Sequence, residues 1–154
     1  MGLDQYLYAK QYLSPSQWLG AEKNAQYEAV INAVNAGSIV TKDMPSAQVE
    51  VKIGYWRKEN AIHQFFVDNC QDGVDDCRES YVSRETLKEL RARCVRVLAD
   101  HSLADEELPT QSGFFFGSTE YDEWYFGGLE DTIAIIDGAL ALDDTWSIFY
   151  QSSW

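Results

Sequence analysis

From Ala47 to Tyr55 the chain alternates without a slip, with Val49, Val51 and Ile53 on one side and Gln48, Glu50 and Lys52 on the other. Successive side chains of a strand point to opposite faces, so this run predicts a β-strand with one face in a core and the other in water. Half-buried strands of that kind belong to antiparallel sheets, whereas parallel strands are covered on both faces. The chain must therefore build a sheet with one covering layer.

The rest of the pattern supplies that layer. Glu22 to Asn35 spaces Ala25, Ala29, Ala33, Val30 and Val34 by three and four residues, and Gly37 stands at a C-cap position. Arg57 to Asn69 reads as a second helix, with Ala61, Ile62, Phe65 and Phe66 inward. Ser83 caps a third, whose stripe is Leu87, Leu90, Cys94, Val97 and Leu98. Its other face carries Arg84, Lys88, Arg91, Arg93 and Arg96, a solvated face in the ordinary case. A last helical region is expected to start at Ser118 or Thr119. It breaks or kinks at Gly127 and Gly128, then continues from Leu129 to Leu142 with Ile133, Ile136 and Leu140 together.

Two more strands are expected, Leu3 to Lys10 (Leu3, Leu7 and Ala9 on one side) and Thr145 to Ser152. Breaks fall at Ser14–Pro15–Ser16 and Met44–Pro45–Ser46, and Gln71 to Glu79 reads as a loop. There is no regular strand–helix alternation. The expected class is α+β: a small, mainly antiparallel sheet of about three strands covered by three to four helices, in one domain over residues 1–154.

Charge is spread unevenly. The net charge is −13, yet up to Arg96 acids and bases nearly balance; from Val97 to Trp154 there are twelve acids and no Lys or Arg. Such a field repels duplex nucleic acid and attracts a basic surface. A hydrophobic fraction of 45% excludes disorder by composition. No apolar run approaches the roughly 18 residues of a membrane span, and the start lacks a basic, then apolar, leader pattern. A cytosolic protein without membrane contact is expected. The cysteines, Cys70, Cys77 and Cys94, are odd in number and read as reduced thiols. With His63 they are spaced too widely for the paired ligands of structural zinc, and no cofactor is expected.

Three constellations could carry chemistry. At the strand-to-helix junction Tyr55, Trp56, Arg57 and Lys58 precede Asn60 and His63, which share a helical face. There an anion could meet helix amides and Arg57 while a ring stacks on Trp56. The bland alternative makes Trp56 a core-edge residue and His63 a satisfied buried histidine. Second, Phe114, Phe115 and Phe116 lie between Gly113 and Gly117, followed by Ser118. Three consecutive rings in an extended segment cannot all face one core, which singles out Phe115 and Ser118 as candidate ligand contacts. Third come two acidic groups, Asp72, Asp75, Asp76 and Glu79, and Glu120, Asp122 and Glu123. Neither fits a calcium-loop spacing, and no metal is expected, with Asp72, Asp75 and Asp76 the candidates if there were one.

The segment Gly54 to His63, with Leu108 to Ser118, resembles a family of small tailed-bacteriophage proteins. The opening Gly2 to Asp4, Tyr6 to Tyr8 and the closing Phe149 to Trp154 fit the same family. Members tend to carry Ala where Glu59 stands here. The resemblance implies a phage-encoded, one-domain protein in the cytoplasm of an infected bacterium and brings no catalytic residue with it.

The leading expectation is a non-enzymatic accessory protein that binds a host protein or a small anionic, nucleotide-like ligand, counteracting host defence. A second is an acidic nucleic-acid mimic that blocks a host DNA-binding protein. A third is an enzyme on a phosphorylated or nucleotide substrate. His63 would be its acid or base, Arg57 and Lys58 its charge stabilisers, and Asp76 would orient the histidine.

Overall fold

The structure, a computed structural model, describes residues 2–15 and 20–154. Ser16, the last residue of the first expected break, lies outside them. Among the described residues, strands β1 (Asp4–Leu13), β2 (Ala47–Arg57), β3 (Ser80–Val82) and β4 (Ser147–Ser153) form one antiparallel sheet in the order β2-β1-β4-β3. The helices are α1 (Gly20–Ala33), α2 (Asn60–Cys70), α3 (Arg84–Ala99), α4 (Ala104–Glu107) and α5 (Glu123–Leu140). The class is α+β, as the pattern predicts. The chain divides into two compact units, Met1–Ala9 with Lys52–Trp154, and Lys10–Val51.

The larger unit holds the main core. Leu7, Ala9, Trp56, Val82, Ile148 and Tyr150 enter it from the strands. Ile62, Phe65 and Phe66 enter from α2, Leu87, Leu90, Cys94 and Val97 from α3, and Leu129, Ile136 and Ala139 from α5. Pairing of Ser80 with Tyr150 and of Val82 with Ile148 puts all four on the inner face, while Tyr81 and Phe149 point away. The Tyr150 ring stacks on Phe66 at 4.2 Å. Gly54 explains how a helix fits on this sheet. A Cβ there would lie 2.5 Å from Ile135 of α5 and 3.1 Å from Leu7, so only glycine lets α5 come this close to β2.

Several expected boundaries move for physical reasons. Arg57 is the last residue of β2, because Lys58 turns the chain with φ +62° and α2 begins at Asn60. β3 is only three residues long, too short to show alternation. Ser83 caps α3 as expected, accepting from the Thr86 N–H. α5 starts later than expected, capped by Asp122, whose carboxylate accepts from the Trp124 and Tyr125 N–H groups. It then runs unbroken through Gly127 and Gly128. Each glycine costs about 1 kcal/mol relative to alanine in a helix. Burial of Leu129, Thr132 and Ile136 on the sheet side holds the helix together regardless.

The smaller unit has its own cluster: Leu13 of β1 with Tyr27 and Ile31 of α1, flanked by Val30, Ala36, Val40, Ala47 and Val49. Lys10 and Glu50 pair across its two strands at 2.9 Å. Just past α1 the chain turns at Asn35, with φ +54°, and not at the expected Gly37. Among the described residues, no helix is long and apolar enough to cross a membrane.

Candidate functional site

The turn from β2 into α2 is locked to the segment before α5 by backbone and amide bonds. The Lys58 N–H donates to the Leu3 carbonyl at 2.8 Å, and the Leu3 N–H donates to the Phe115 carbonyl at 3.0 Å. Asn60 is buried and uses both ends of its amide. Its Nδ2 donates to the carbonyls of Phe116 (3.1 Å) and Ser118 (2.8 Å), and its Oδ1 accepts from the Gln111 N–H (2.9 Å). Gly117, at φ +89°, lets the Lys58 stem lie close across it.

Between this turn and α5 opens a cleft of about 730 Å³, within the size range of small-ligand sites. The turn contributes Arg57, Lys58 and Glu59; the approach to α5 contributes Ser118, Glu120 and Asp122. One face of α5 contributes Glu123, Trp124, Gly127, Gly128, Glu130 and Asp131. Six carboxyl groups thus meet two basic side chains. Asp122 and Glu123 have a structural reason to be here, since negative charge is favourable at a helix N-terminus. Glu130 and Asp131, well inside the helix, have no such reason. Trp124 stands at the cleft 78% exposed, an unusual position for an indole.

Glu59 is the group most affected by this setting. It is half-buried and seated over Gly128, where a Cβ would lie 2.3 Å from its Oε2. It occupies the N-cap of α2 without making a side-chain cap bond. Among the described residues it has no ion-pair or hydrogen-bond partner for its carboxyl group. Burial, and then the charges of Asp131 and Asp122, push its pKa up from 4.5 to about 7.

Of the residues singled out from sequence, the cleft gathers Arg57, Lys58, Asn60 and Ser118 and the acidic group Glu120, Asp122 and Glu123. The others lie elsewhere. Trp56, expected to stack on a guest, is 3% exposed, and its Nε1 donates to Thr132 Oγ1 at 2.9 Å. Adjacent strand residues face opposite ways, and Trp56 has the core side. Tyr55 has the outer side, where its hydroxyl donates to Asp4 and its ring packs on Tyr6.

His63 is also sealed. Its Nδ1 lies 2.8 Å from the Tyr150 hydroxyl and its Nε2 2.9 Å from Asp75. A ring proton on Nε2 satisfies the Asp75 carboxylate, and the Tyr150 hydroxyl at Nδ1 also reaches Gln5 Oε1 at 3.3 Å. Asp75 also accepts from Trp154 Nε1. This network leaves His63 no surface from which to reach a substrate.

The three phenylalanines form a turn, closed by the Phe116 N–H on the Gly113 carbonyl at 3.1 Å, rather than the extended segment in which alternate rings would share a side. Phe116 packs edge-on to His63, Phe115 meets Phe114, and Phe114 stands 93% exposed. Asp72 and Asp76 lie near Arg78, each at 3.7 Å. Among the described residues, no group of three or more His, Cys, Asp or Glu is placed to hold a metal ion.

Sequence reasoning missed Glu59, Trp124, Glu130 and Asp131, and treated Glu120, Asp122 and Glu123 as a separate acidic run. The signal was the spacing of 123, 127 and 131 with 124 and 128, which shares one helical face only if the helix runs unbroken through Gly127 and Gly128. Elsewhere the acids of the C-terminal segment are mostly tied down. Arg91 holds Asp137 and Arg96 holds Glu107 through two hydrogen bonds each, and Arg84 lies 3.7 Å from Asp144.

Comparison with protein-family models, curated proteins and solved structures finds no match to this chain.

Proposed function

We propose that the protein is an accessory binding protein whose acidic cleft receives an extended chain bearing ammonium or guanidinium groups, presented by a basic segment of a host protein. One observation carries this reading: among the described residues, six carboxyl groups and an exposed indole line a cleft that holds two basic side chains. A cation gains from the carboxylates and from the face of Trp124, and its methylene stem can lie on Gly127, Gly128 and Ala61. A nucleotide-like anion, the ligand first expected at this turn, would meet the same carboxylates as repulsion and would find Trp56 out of reach. The resemblance to phage proteins supports a partner in a bacterial host, where such binding would interfere with a host process. The reading of a nucleic-acid mimic has less support, because several of the acids it needs are spent on arginines.

The test is titration of the purified chain with pentalysine, spermidine and ATP, followed by tryptophan fluorescence and calorimetry. Pentalysine is expected to bind, to weaken steeply with salt, and to lose at least about tenfold in affinity in Asp131→Asn/Glu130→Gln. Trp124→Ala should abolish the fluorescence response. Tighter binding of spermidine than of pentalysine would assign the cleft to a free polyamine. Binding of ATP without pentalysine would overturn the proposal.

A further inference from the structure

The cleft's carboxyl groups are not equivalent, and the difference between them bears on how a guest is taken up. Glu59 is the one seated against the bare backbone of Gly128. The groups that face it are few. From α5 and its cap come Asp131 and Asp122, both raising the cost of charge on Glu59, and Tyr125, whose phenol Glu59 in turn disfavours as an anion. Glu120, Glu123 and Glu130 line the same cleft, and from the turn come only the exposed Arg57 and Lys58. α2 offers nothing titratable here, since His63 is turned toward Tyr150 and Asp75. Among the described residues, no donor reaches the Glu59 carboxyl group. A carboxylate so placed lacks a counter-charge until something positive enters the cleft.

We infer that Glu59 couples binding to proton release: its carboxyl, crowded by Asp131 and Asp122 and without a donor in the empty cleft, exchanges a proton for an entering ammonium or guanidinium group. The exchange balances, with one positive charge arriving as the guest and one leaving to solvent as H⁺. It rests on the cation-binding reading above and adds to it which residue discriminates and how. The other carboxyl groups lining the cleft attract the guest, while Glu59 registers its arrival. The pKa near 7 puts the exchange in the range where a small pH change alters affinity. Below that midpoint affinity should rise with pH by up to about tenfold per unit, and above it the dependence should flatten.

Two measurements on the full chain test this. Carboxyl-carbon NMR of the free protein should show Glu59 titrating near neutrality, well above an ordinary glutamate side chain. Calorimetry with pentalysine in two buffers of different ionisation enthalpy, at pH near 6.5, should show a substantial fraction of a proton released per guest bound. Glu59→Gln should still bind, several-fold more weakly at high pH, without that release. An ordinary Glu59 titration, or equal proton release in wild type and Glu59→Gln, would overturn the inference and leave the cleft as a cation site. Failure of pentalysine to bind at any pH would remove both.

Discussion

The outer face of α3 and the cleft beside α5 are both rich in carboxylates, and they treat them in opposite ways. On α3, Arg93 reaches Glu89 at 2.9 Å, Arg96 holds Glu107 with two bonds of 2.8 Å, and Arg91 holds Asp137. Arginine lowers the carboxyl pKa of Glu89, Glu107 and Asp137, the hydrogen bond being the largest cause in each case. In the cleft the carboxyl groups face one another, and Glu59 is pushed the other way. Surface pairing of the first kind contributes little to stability, but it removes charge from use. Leaving six carboxyl groups around one cavity costs stability and keeps their field available to something outside the chain.

The largest effect should come from relieving that cost. Native Glu59 titrates near 7 and the unfolded carboxyl near 4.5, so between those values the native state binds more protons and stability falls as pH rises. The stability is present in full below pH 4.5 and lost on passing 7. Glu59→Gln removes the slope and should be the more stable protein above pH 7, by up to about 3 kcal/mol, and no more stable below 4.5. Urea melts at pH 5, 6, 7 and 8 would show it; parallel curves for the two proteins would contradict the contrast.

A carboxylate with well-placed donors gives the next effect. His63→Leu leaves the buried Tyr150 hydroxyl without its 2.8 Å partner and frees Asp75, and should cost about 2 kcal/mol. Pentalysine binding should not change, because the cleft does not include His63. A selective loss of binding without loss of stability would move the site toward His63. The smallest effect should be on α3. Arg96→Ala should lower the melting temperature slightly at low salt and not at all near 1 M, where screening extends to about 3 Å. A large, salt-insensitive drop would mean that these pairs hold the fold together.

What could be read from the residues depended on whether one element sufficed. The α3 stripe and its Ser83 cap, and the inward Ala61, Ile62, Phe65 and Phe66 of α2, follow from local spacing, and all of these side chains are buried except Leu98 and the cap. The alternation of β2 is local too, yet Val51 is 44% exposed while Trp56 is sealed, because cover by α5 falls at Gly54 and Trp56. The cleft was half legible. Arg57, Lys58, Asn60 and Ser118 lie in the two motifs, but the wall that sets its charge comes from a helix that Gly127 and Gly128 make look broken in its middle. Glu59 went unread because its burial depends on Gly128, sixty-nine positions away in the chain.

Gly54 has a consequence for the cleft that its own surroundings do not suggest. Because Ile135 rests where a methyl group would otherwise sit, the bare backbone at that point sets the height at which α5 rides above the sheet. Trp124, Gly128 and Asp131 travel with that helix. A single added carbon at residue 54 would lift the whole wall like a shim under a rail, so the mouth of the cavity is gauged by an atom the protein does without.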